Sequence, residues 1–299
     1  MVQVEASPRV VLDGGHFFEG PRWRDGRLWV SDFFGKRVVS ADGAGTDVRV
    51  EAEVENRPSG LGWLPDGRLL VVSMLDQLIL VRDAAGRLSV HADLSPLTGG
   101  YMINDMRVDA AGNAYVSTIG FDPYRGEPMR ESNVLLVRPD GSTGVASSEG
   151  LIVPNGSLFL PDGTFVVAET MRQRLHAFRQ ATDGTLVDHR IWATFGDVPE
   201  TTDVMERIGA LAVGPDGICA DSEGAIWVAD SFHNRVLRVR EGGEIVDEIV
   251  LAASGAYACA LGGPDGQDLY VCSAPDFDDT ARSAAAEASV LAFRVPVPA

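Results

Sequence analysis

A polar turn followed by a short hydrophobic strand recurs six times along the 299-residue chain. Each copy pairs a turn glycine with apolar and β-branched residues typical of a β-strand. The copies are RDGRLWVSD (24–32), PDGRLLVVS (65–73), DAAGNAYVST (109–118), PDGTFVVAE (161–169), DSEGAIWVAD (221–230) and PDGQDLYVCS (264–273). Their glycines are 41, 45, 51, 61 and 42 residues apart, a period that predicts the blades of a β-propeller.

A second glycine turn lies between successive copies and separates two further strand-like runs. These turns are centred on Gly43, Gly86, Gly141, Gly184 and Gly242. Each repeat is therefore predicted to be a meander of four antiparallel strands, but the sixth ends after its third strand, in SVLAFRVPVPA. The N-terminal run RVVL (9–12) can supply the missing outer strand and leave no open sheet edge. We therefore predict an all-β fold, a single six-bladed propeller domain over residues 1–299.

Composition narrows the possible partners. The formal net charge of -18 would repel a phosphate backbone, so nucleic acid is not expected as a partner. The most hydrophobic region (61–81) is interrupted by polar residues and the N-terminus shows no signal-peptide pattern, so no membrane association is expected. Three cysteines without paired spacing suit a reducing compartment and core positions. These features predict a soluble, cytoplasmic protein that acts on a small molecule; they leave the oligomeric state open.

The turn glycines also locate the start of each innermost strand, which lies at the face of the ring opposite those turns. Counting back seven or eight residues from them gives Glu19, Ser59 or Gly60, Asn104 or Asp105, Asn155, Asp216, and Ala258 or Cys259. Carboxylate and amide oxygens occupy four of these six positions. Asp and Asn before Gly are also common turn residues, but their shared phase in four blades favours a cation site. Hard oxygen donors without a His or Cys cluster suit calcium, magnesium or manganese better than zinc.

Five motifs that occur in order carry a family resemblance. They are FFEGPRW (17–23), NRPSGLGWLPDG (56–67), INDMRVDAAG (103–112), VPNGSLFLPDG (153–163) and PDGICADSEGAIWVAD (215–230). Together they resemble the SMP-30/gluconolactonase/LRE family, which includes regucalcin and bacterial sugar lactonases. The resemblance implies a six-bladed propeller with one catalytic divalent cation, calcium first and magnesium, manganese or zinc as alternatives.

By motif, the resemblance implies that Glu19, Asn155 and Asp216 bind the metal. It also implies that Asn104 contacts the metal or the substrate, and that Asp216 serves as base or nucleophile or only as a ligand. Sugar lactonases of the regucalcin type have an arginine two residues before the asparagine, where this chain has Met102. A polyhydroxylated lactone would lose a charged hydrogen-bond donor there.

Loops on the same face carry apolar side chains in five blades, and three of these loops are enlarged: 119–132, 194–215 and 274–288, the last with an Ala-rich stretch that could form a short helix. The residues expected to contact substrate are Tyr101, Met102, Phe121, Met171, Phe232 and His233. Small-molecule pockets are mostly apolar with a few polar groups. An apolar lactone or ester is therefore the expected substrate.

The predicted activity is divalent-metal-dependent hydrolysis of a lactone or related ester, with Asp216 and Asn104 as catalytic residues. The alternatives are phosphotriester hydrolysis on the same site, or a propeller that binds calcium or a ligand without catalysis. A serine hydrolase or a zincin is not supported, because the chain contains neither a GxSxG nor an HExxH motif.

Overall fold

The computed structural model describes residues 8–252 and 254–299. Residues 1–7 and Ala253, which fall within the predicted domain, lie outside the described residues, and the side chain of Tyr124 is not described either. Strands in the described chain form six separate four-stranded sheets, and every neighbouring pair of strands within a sheet is antiparallel. The predicted number of blades and strands is confirmed.

The sheets follow one another along the chain. The first strand, β1 (Arg9–Gly15), belongs to blade 6. Blade 1 contains β2 (Phe18–Arg24), β3 (Arg27–Asp32), β4 (Arg37–Asp42) and β5 (Val48–Glu53); blade 2 contains β6 (Pro58–Trp63), β7 (Leu69–Ser73), β8 (Leu78–Arg82) and β9 (Leu88–Asp93); blade 3 contains β10 (Ile103–Val108), β11 (Ala114–Thr118), β12 (Val134–Val137) and β13 (Thr143–Val145). Blade 4 contains β14 (Pro154–Phe159), β15 (Thr164–Glu169), β16 (Arg174–Gln180) and β17 (Leu186–Thr194); blade 5 contains β18 (Pro215–Ala220), β19 (Ile226–Asp230), β20 (Arg235–Val239) and β21 (Ile245–Val250); blade 6 contains β22 (Gly255–Gly262), β23 (Asp268–Ala274) and β24 (Ala288–Arg294).

The N-terminal strand closes the ring as predicted. β1 pairs antiparallel with β24, so blade 6 has the order β1-β24-β23-β22. The first strands of the six blades, from β2 to β22, contact one another in sequence and the circuit returns from β22 to β2. These six strands therefore surround the central channel.

Burial explains why the inner strands lack a clear alternation of apolar and polar residues. Neighbouring blades cover both faces of each sheet, so β7, β19 and β23 are buried along their whole length. The outermost strands β5 and β21 expose most of one face. Close contact between sheets thus places the core between the blades, where both faces of a strand are apolar.

The described part of the chain has three short helices in connecting segments: α1 (Ser95–Thr98), α2 (Val204–Ala210) and α3 (Asp279–Ala284). Loop 274–288 thus contains a short helix, but α3 ends at Ala284, and most of the Ala-rich stretch that was expected to be helical follows it. A 3-10 turn, Pro123–Arg125, lies in the enlarged loop 119–132. Among the described residues, no helix is both long and apolar enough to cross a membrane.

Candidate active site

Four predicted oxygen donors lie together at one end of the channel. Glu19, Asn104, Asn155 and Asp216 are each the second residue of an innermost strand, and all four line one cavity of about 400 Å³. The pairing with the second strand shifts register at or directly after these residues, for example between Pro154 and Ser157. Such β-bulges turn a side chain away from its regular direction and are frequent beside functional sites.

Glycines after the donor positions allow the innermost strands to approach closely. A Cβ atom added to Gly156 would lie 2.7 Å from the carbonyl oxygen of Asp216, and one added to Gly217 would lie 2.5 Å from the Cα of Ala258. Real Cβ atoms essentially never make contacts this short. The Asn-Gly and Asp-Gly pairs therefore bring the donors of neighbouring blades together, in addition to their role as turn residues.

Hydrogen bonds between blades orient the amide donors. The Ser59 hydroxyl donates to Oδ1 of Asn104 at 3.0 Å, and Nδ2 of Asn104 donates to Oδ1 of Asn155 at 3.0 Å. The Thr170 hydroxyl, which follows β15 in blade 4, donates to the carbonyl oxygen of Pro215 in blade 5 at 2.8 Å. Pro215 directly precedes Asp216. These contacts join blades 2 to 5 and hold the polar floor of the cavity in one arrangement.

The two carboxyl groups at this floor strongly disfavour their charged forms. Burial raises the pKa of Glu19 to about 8, and Asp105 adds to the rise, while the Gly20 amide and Arg22 oppose it. Burial also raises the pKa of Asp216 well above its usual range, and the charges of Glu19 and Asp105 increase the effect. Without a compensating positive charge, Glu19 would hold its proton near neutral pH, and the charged form of Asp216 is disfavoured in the same direction.

A divalent cation fits this donor set. Oδ1 of Asp216 is buried and has no hydrogen-bond partner among the described residues, so a buried oxygen is available as a ligand. The described part of the chain contains no cluster of three His, Cys, Asp or Glu residues suited to an ion. The candidate centre would instead combine two carboxylates with two amide oxygens, which are ligands that hard cations accept.

The structure resolves the positions for which the sequence left two choices. Asn104 lines the cavity, whereas Asp105 is not among the described lining residues and pairs with Arg22 at 2.8 Å. On the innermost strand of blade 6, the described residue that lines the cavity is Tyr257, in place of the expected Ala258 or Cys259. The register shift of β22 falls between Ala256 and Ala258, so Tyr257 is the residue that the bulge turns toward the cavity.

Apolar side chains from the predicted loops form the walls. Of the residues expected to contact substrate, Met102, Phe121, Met171 and Phe232 line the cavity. All three enlarged loops contribute to the wall, through Phe121, Val204, Ile208 and Phe277 among others. Sequence reasoning did not single out Phe17, Tyr257, Val204, Met205, Ile208 or Phe277, and α2 carries three of these.

The described residues lining the cavity do not include Tyr101 or His233, two of the predicted substrate contacts. The Tyr101 hydroxyl donates to Glu127 at 3.0 Å and accepts from Arg130 at 3.1 Å, so it is bound within the enlarged loop 119–132. Nδ1 of His233 lies 2.9 Å from Oδ1 of Asp230, a fully buried carboxylate. A polar partner thus holds each of these side chains outside the described cavity lining.

Asp230 belongs to a repeated supporting contact that the sequence analysis missed. Its Oδ1 accepts from the backbone amide of Gly214 at 2.8 Å, and its Oδ2 accepts from Arg235 at 2.8 Å. Asp32 makes the corresponding contacts in blade 1, with the amide of Phe17 and with Arg37. The sequence signal for this contact is an Asp five residues before an Arg. The Asp fixes the segment that leads to Asp216 in blade 5 and to Glu19 in blade 1.

The fold and the site together define a six-bladed β-propeller with a candidate cation centre at the floor of an apolar cavity. The chain belongs to the SMP-30/Gluconolactonase/LRE-like family, whose sequence model matches residues 17–275. It is 28% identical over 257 residues to lactonase drp35 from Staphylococcus epidermidis, covering 83% of this chain and 74% of that protein. It is also 28% identical over 272 residues to a pentonolactonase from Haloferax volcanii, with 89% and 84% covered.

Solved structures support the fold independently. The calcium-binding protein regucalcin from Agrobacterium tumefaciens superposes with a TM-score of 0.77 at 23% identity, covering 98% of this chain and 95% of that chain. At this identity, the likeness shows a shared propeller architecture and no more.

Proposed function

We propose that the protein is a divalent-cation-dependent hydrolase of lactones, with a preference for substrates that have an apolar body. The observation that carries the proposal is the pair of carboxyl groups, partly buried Glu19 and buried Asp216, beside two amides at the floor of an apolar cavity. The similarity to proteins named lactonases supports the reaction class. The name of regucalcin as a calcium-binding protein supports calcium as the first cation to test.

Glu19, Asn104, Asn155 and Asp216 would hold the cation. When bound there, a divalent cation supplies polarisation of a carbonyl oxygen and a lowered pKa of water, which ester hydrolysis needs near neutral pH. We assign Asp216 the role of base as well as ligand: Oδ1, which is buried and without a hydrogen-bond partner among the described residues, can hold the cation, and the other carboxylate oxygen can then accept the proton at the cavity floor. Asn104 is the second catalytic residue in this proposal, as an amide that can orient the lactone oxygen from the same floor.

The cavity walls determine the preferred substrate. Met102 contributes a thioether where the related sugar lactonases carry a guanidinium, so hydroxyl groups on a sugar ring would find no charged donor there. Phe232 contributes partly exposed aromatic surface, which an alkyl or aryl substituent can cover while water is displaced, and the fully buried Phe121 supports the same wall. Binding of an apolar lactone would therefore exceed binding of a polyhydroxylated one.

The test measures hydrolysis of an alkyl-substituted lactone, an aldonolactone, an aryl ester and a phosphotriester by protein treated with chelator and then resupplied with calcium, magnesium or manganese. We expect the alkyl lactone to be turned over fastest, with activity lost in chelator and restored by a cation. Chelator-resistant hydrolysis would refute cation dependence. A bound cation without turnover of any of the four substrates would favour the noncatalytic alternative.

A further inference from the structure

A second cavity lies at the opposite end of the channel. It has a volume of about 530 Å³, and its lining comes from the later residues of the innermost strands and the turns that follow them. Arg22, Arg107, Cys219 and Cys259 are among the lining residues. The proposed hydrolase does not use any of these four side chains, so their convergence requires a separate explanation.

Two of the three cysteines meet in this cavity. The Sγ atoms of Cys219 and Cys259 are 3.7 Å apart, although the residues are on β18 and β22, in different blades. A disulfide bond requires about 2.05 Å between the sulfurs, so side-chain rotation must shorten the separation by about 1.6 Å. The sulfurs already face each other across the boundary between blades 5 and 6.

The two thiols differ in accessibility. Cys219 is partly exposed, whereas Cys259 is 2% exposed and its Sγ lies 3.5 Å from the carbonyl oxygen of Trp227. Burial and the neighbouring Cys219 raise the pKa of the Cys259 thiol well above its usual range. An oxidant that enters the cavity therefore encounters Cys219 first, with Cys259 positioned directly behind it.

A guanidinium without a partner among the described residues lines the same cavity as the partly exposed thiol of Cys219. Arg107 lines the cavity, and within residues 8–252 and 254–299 it makes no ion pair or hydrogen bond through its side chain. Burial lowers the pKa of Arg107 to about 10; Arg22 adds to the fall, and Asp105 and Cys219 oppose it. Cys219 is thus within electrostatic reach of a cation. Partly exposed cysteines with a neighbouring cation are typically the ones that react with oxidants.

We propose that Cys219 and Cys259 form an oxidant-sensitive dithiol, which a peroxide converts into a disulfide between the innermost strands of blades 5 and 6. The Cys219 sulfur attacks one peroxide oxygen, the O–O bond breaks, and the products are a sulfenic acid and water. The Cys259 sulfur then attacks the Cys219 sulfur, the S–O bond breaks, and the hydroxyl leaves as water with the Cys259 proton. Two thiols are oxidised and one hydrogen peroxide is reduced to two waters.

The bond would act on the strands that also form the active site. Asp216 is three residues before Cys219 on β18, and Tyr257 is two residues before Cys259 on β22. The disulfide would therefore tie together the strands that supply one proposed metal ligand and one cavity-lining aromatic. The modification site itself is independent of the proposed hydrolysis.

The test treats the full chain with hydrogen peroxide, quenches it, unfolds it and counts the remaining thiols. We expect the count to fall from three to one, a peptide linking Cys219 to Cys259 on non-reducing mapping, and recovery of three thiols with dithiothreitol. Cys272→Ala is the matched control, because Cys272 is also buried but should not take part. This variant should fall from two thiols to none.

Single substitutions of the pair separate the two steps. In Cys259→Ala the reaction should stop at a sulfenic acid on Cys219, detectable by reaction with dimedone, and in Cys219→Ala the two remaining thiols should persist. Circular dichroism and the melting temperature check that both variants are folded. Three surviving thiols in the wild type, a disulfide between two chains, or the same thiol loss in Cys219→Ala would each overturn the proposal.

Discussion

Replacing Glu19 by glutamine should change how the stability of the cation-free protein depends on pH. In the folded chain, burial raises the Glu19 pKa from 4.5 to about 8. The folded state then binds more protons than the unfolded state throughout this interval, so the free energy of unfolding must decrease as pH rises through it. The contribution of Glu19 to the free energy of unfolding is complete below the pKa of the unfolded state and is lost above the pKa of the folded state. A carboxylate held in a salt bridge shows the opposite dependence.

The magnitude follows from the two pKa values. Between about pH 5 and pH 7.5, a single group of this kind reduces the free energy of unfolding by about 3 kcal/mol. For a chain of this length, that corresponds to a fall of about 5 °C in melting temperature. Glu19→Gln carries no ionisable group at this position and also relieves the repulsion on Asp216, so its melting temperature should fall less, with burial of Asp216 leaving part of the slope.

The assay is thermal unfolding in chelator at a series of pH values, for the wild type, Glu19→Gln and the control Glu55→Gln. Glu55 is an exposed partner of Lys36, so its substitution should leave the wild-type slope unchanged. Addition of millimolar calcium should flatten the wild-type slope, because a bound cation stabilises ionised Glu19, and should have little effect on Glu19→Gln. Parallel slopes for the wild type and Glu19→Gln in chelator would refute the argument from burial.

Three substitutions test the proposed chemistry and specificity. Asp216→Ala should lower kcat for lactones by about 10³-fold and weaken calcium binding in calorimetry, with an unchanged circular dichroism spectrum; full activity would exclude Asp216 as base. Met102→Arg should raise the ratio of aldonolactone to alkyl-lactone kcat/KM about tenfold, since a charged hydrogen bond contributes roughly 1.5–3 kcal/mol, and an unchanged ratio would remove this explanation of specificity. Phe232→Ala should raise KM for an alkyl lactone about tenfold, because apolar contact with the substrate is lost. The control is Leu75→Ala, at an exposed position in the corresponding loop of blade 2, which should leave KM unchanged. Equal effects of the two substitutions would show that Phe232 does not contact substrate.

The repeat was sufficient to predict the fold because each blade depends on local pattern. The six glycine turns marked the first connection of each blade, and the missing strand after residue 294 indicated that residues 9–12 close the ring. The helix α2 was not predicted, because seven residues are too few to show helical periodicity. Its start depends instead on a local cap, in which Asp203 accepts from the amide of Glu206 at 2.9 Å.

The donor positions were also accessible from the sequence, because counting along a strand preserves phase. Glu19, Asn104, Asn155 and Asp216 all line one cavity. Side-chain orientation was harder to predict where a polar partner in the same loop or a neighbouring segment decides it. Tyr101 and His233 were chosen by proximity in the chain, but Glu127 and Asp230 bind their polar atoms.

Tyr257 shows why counting alone fails in the sixth blade. In blade 5 the unpaired residues of the bulge are Asp216 and Gly217, between Pro215 and Ile218. In blade 6 the bulge lies between the pairs Ala256–Ser273 and Ala258–Cys272, so the unpaired residue is Tyr257. The bulge thus lies one residue earlier than the spacing from the turn glycine predicts. The bulge leaves Tyr257 unpaired at the start of β22, so a tyrosine reaches the substrate cavity, while Cys259, two residues further along the strand, lines the cavity at the opposite end of the channel. A single strand therefore supplies a wall of the proposed active site and the thiol that meets Cys219.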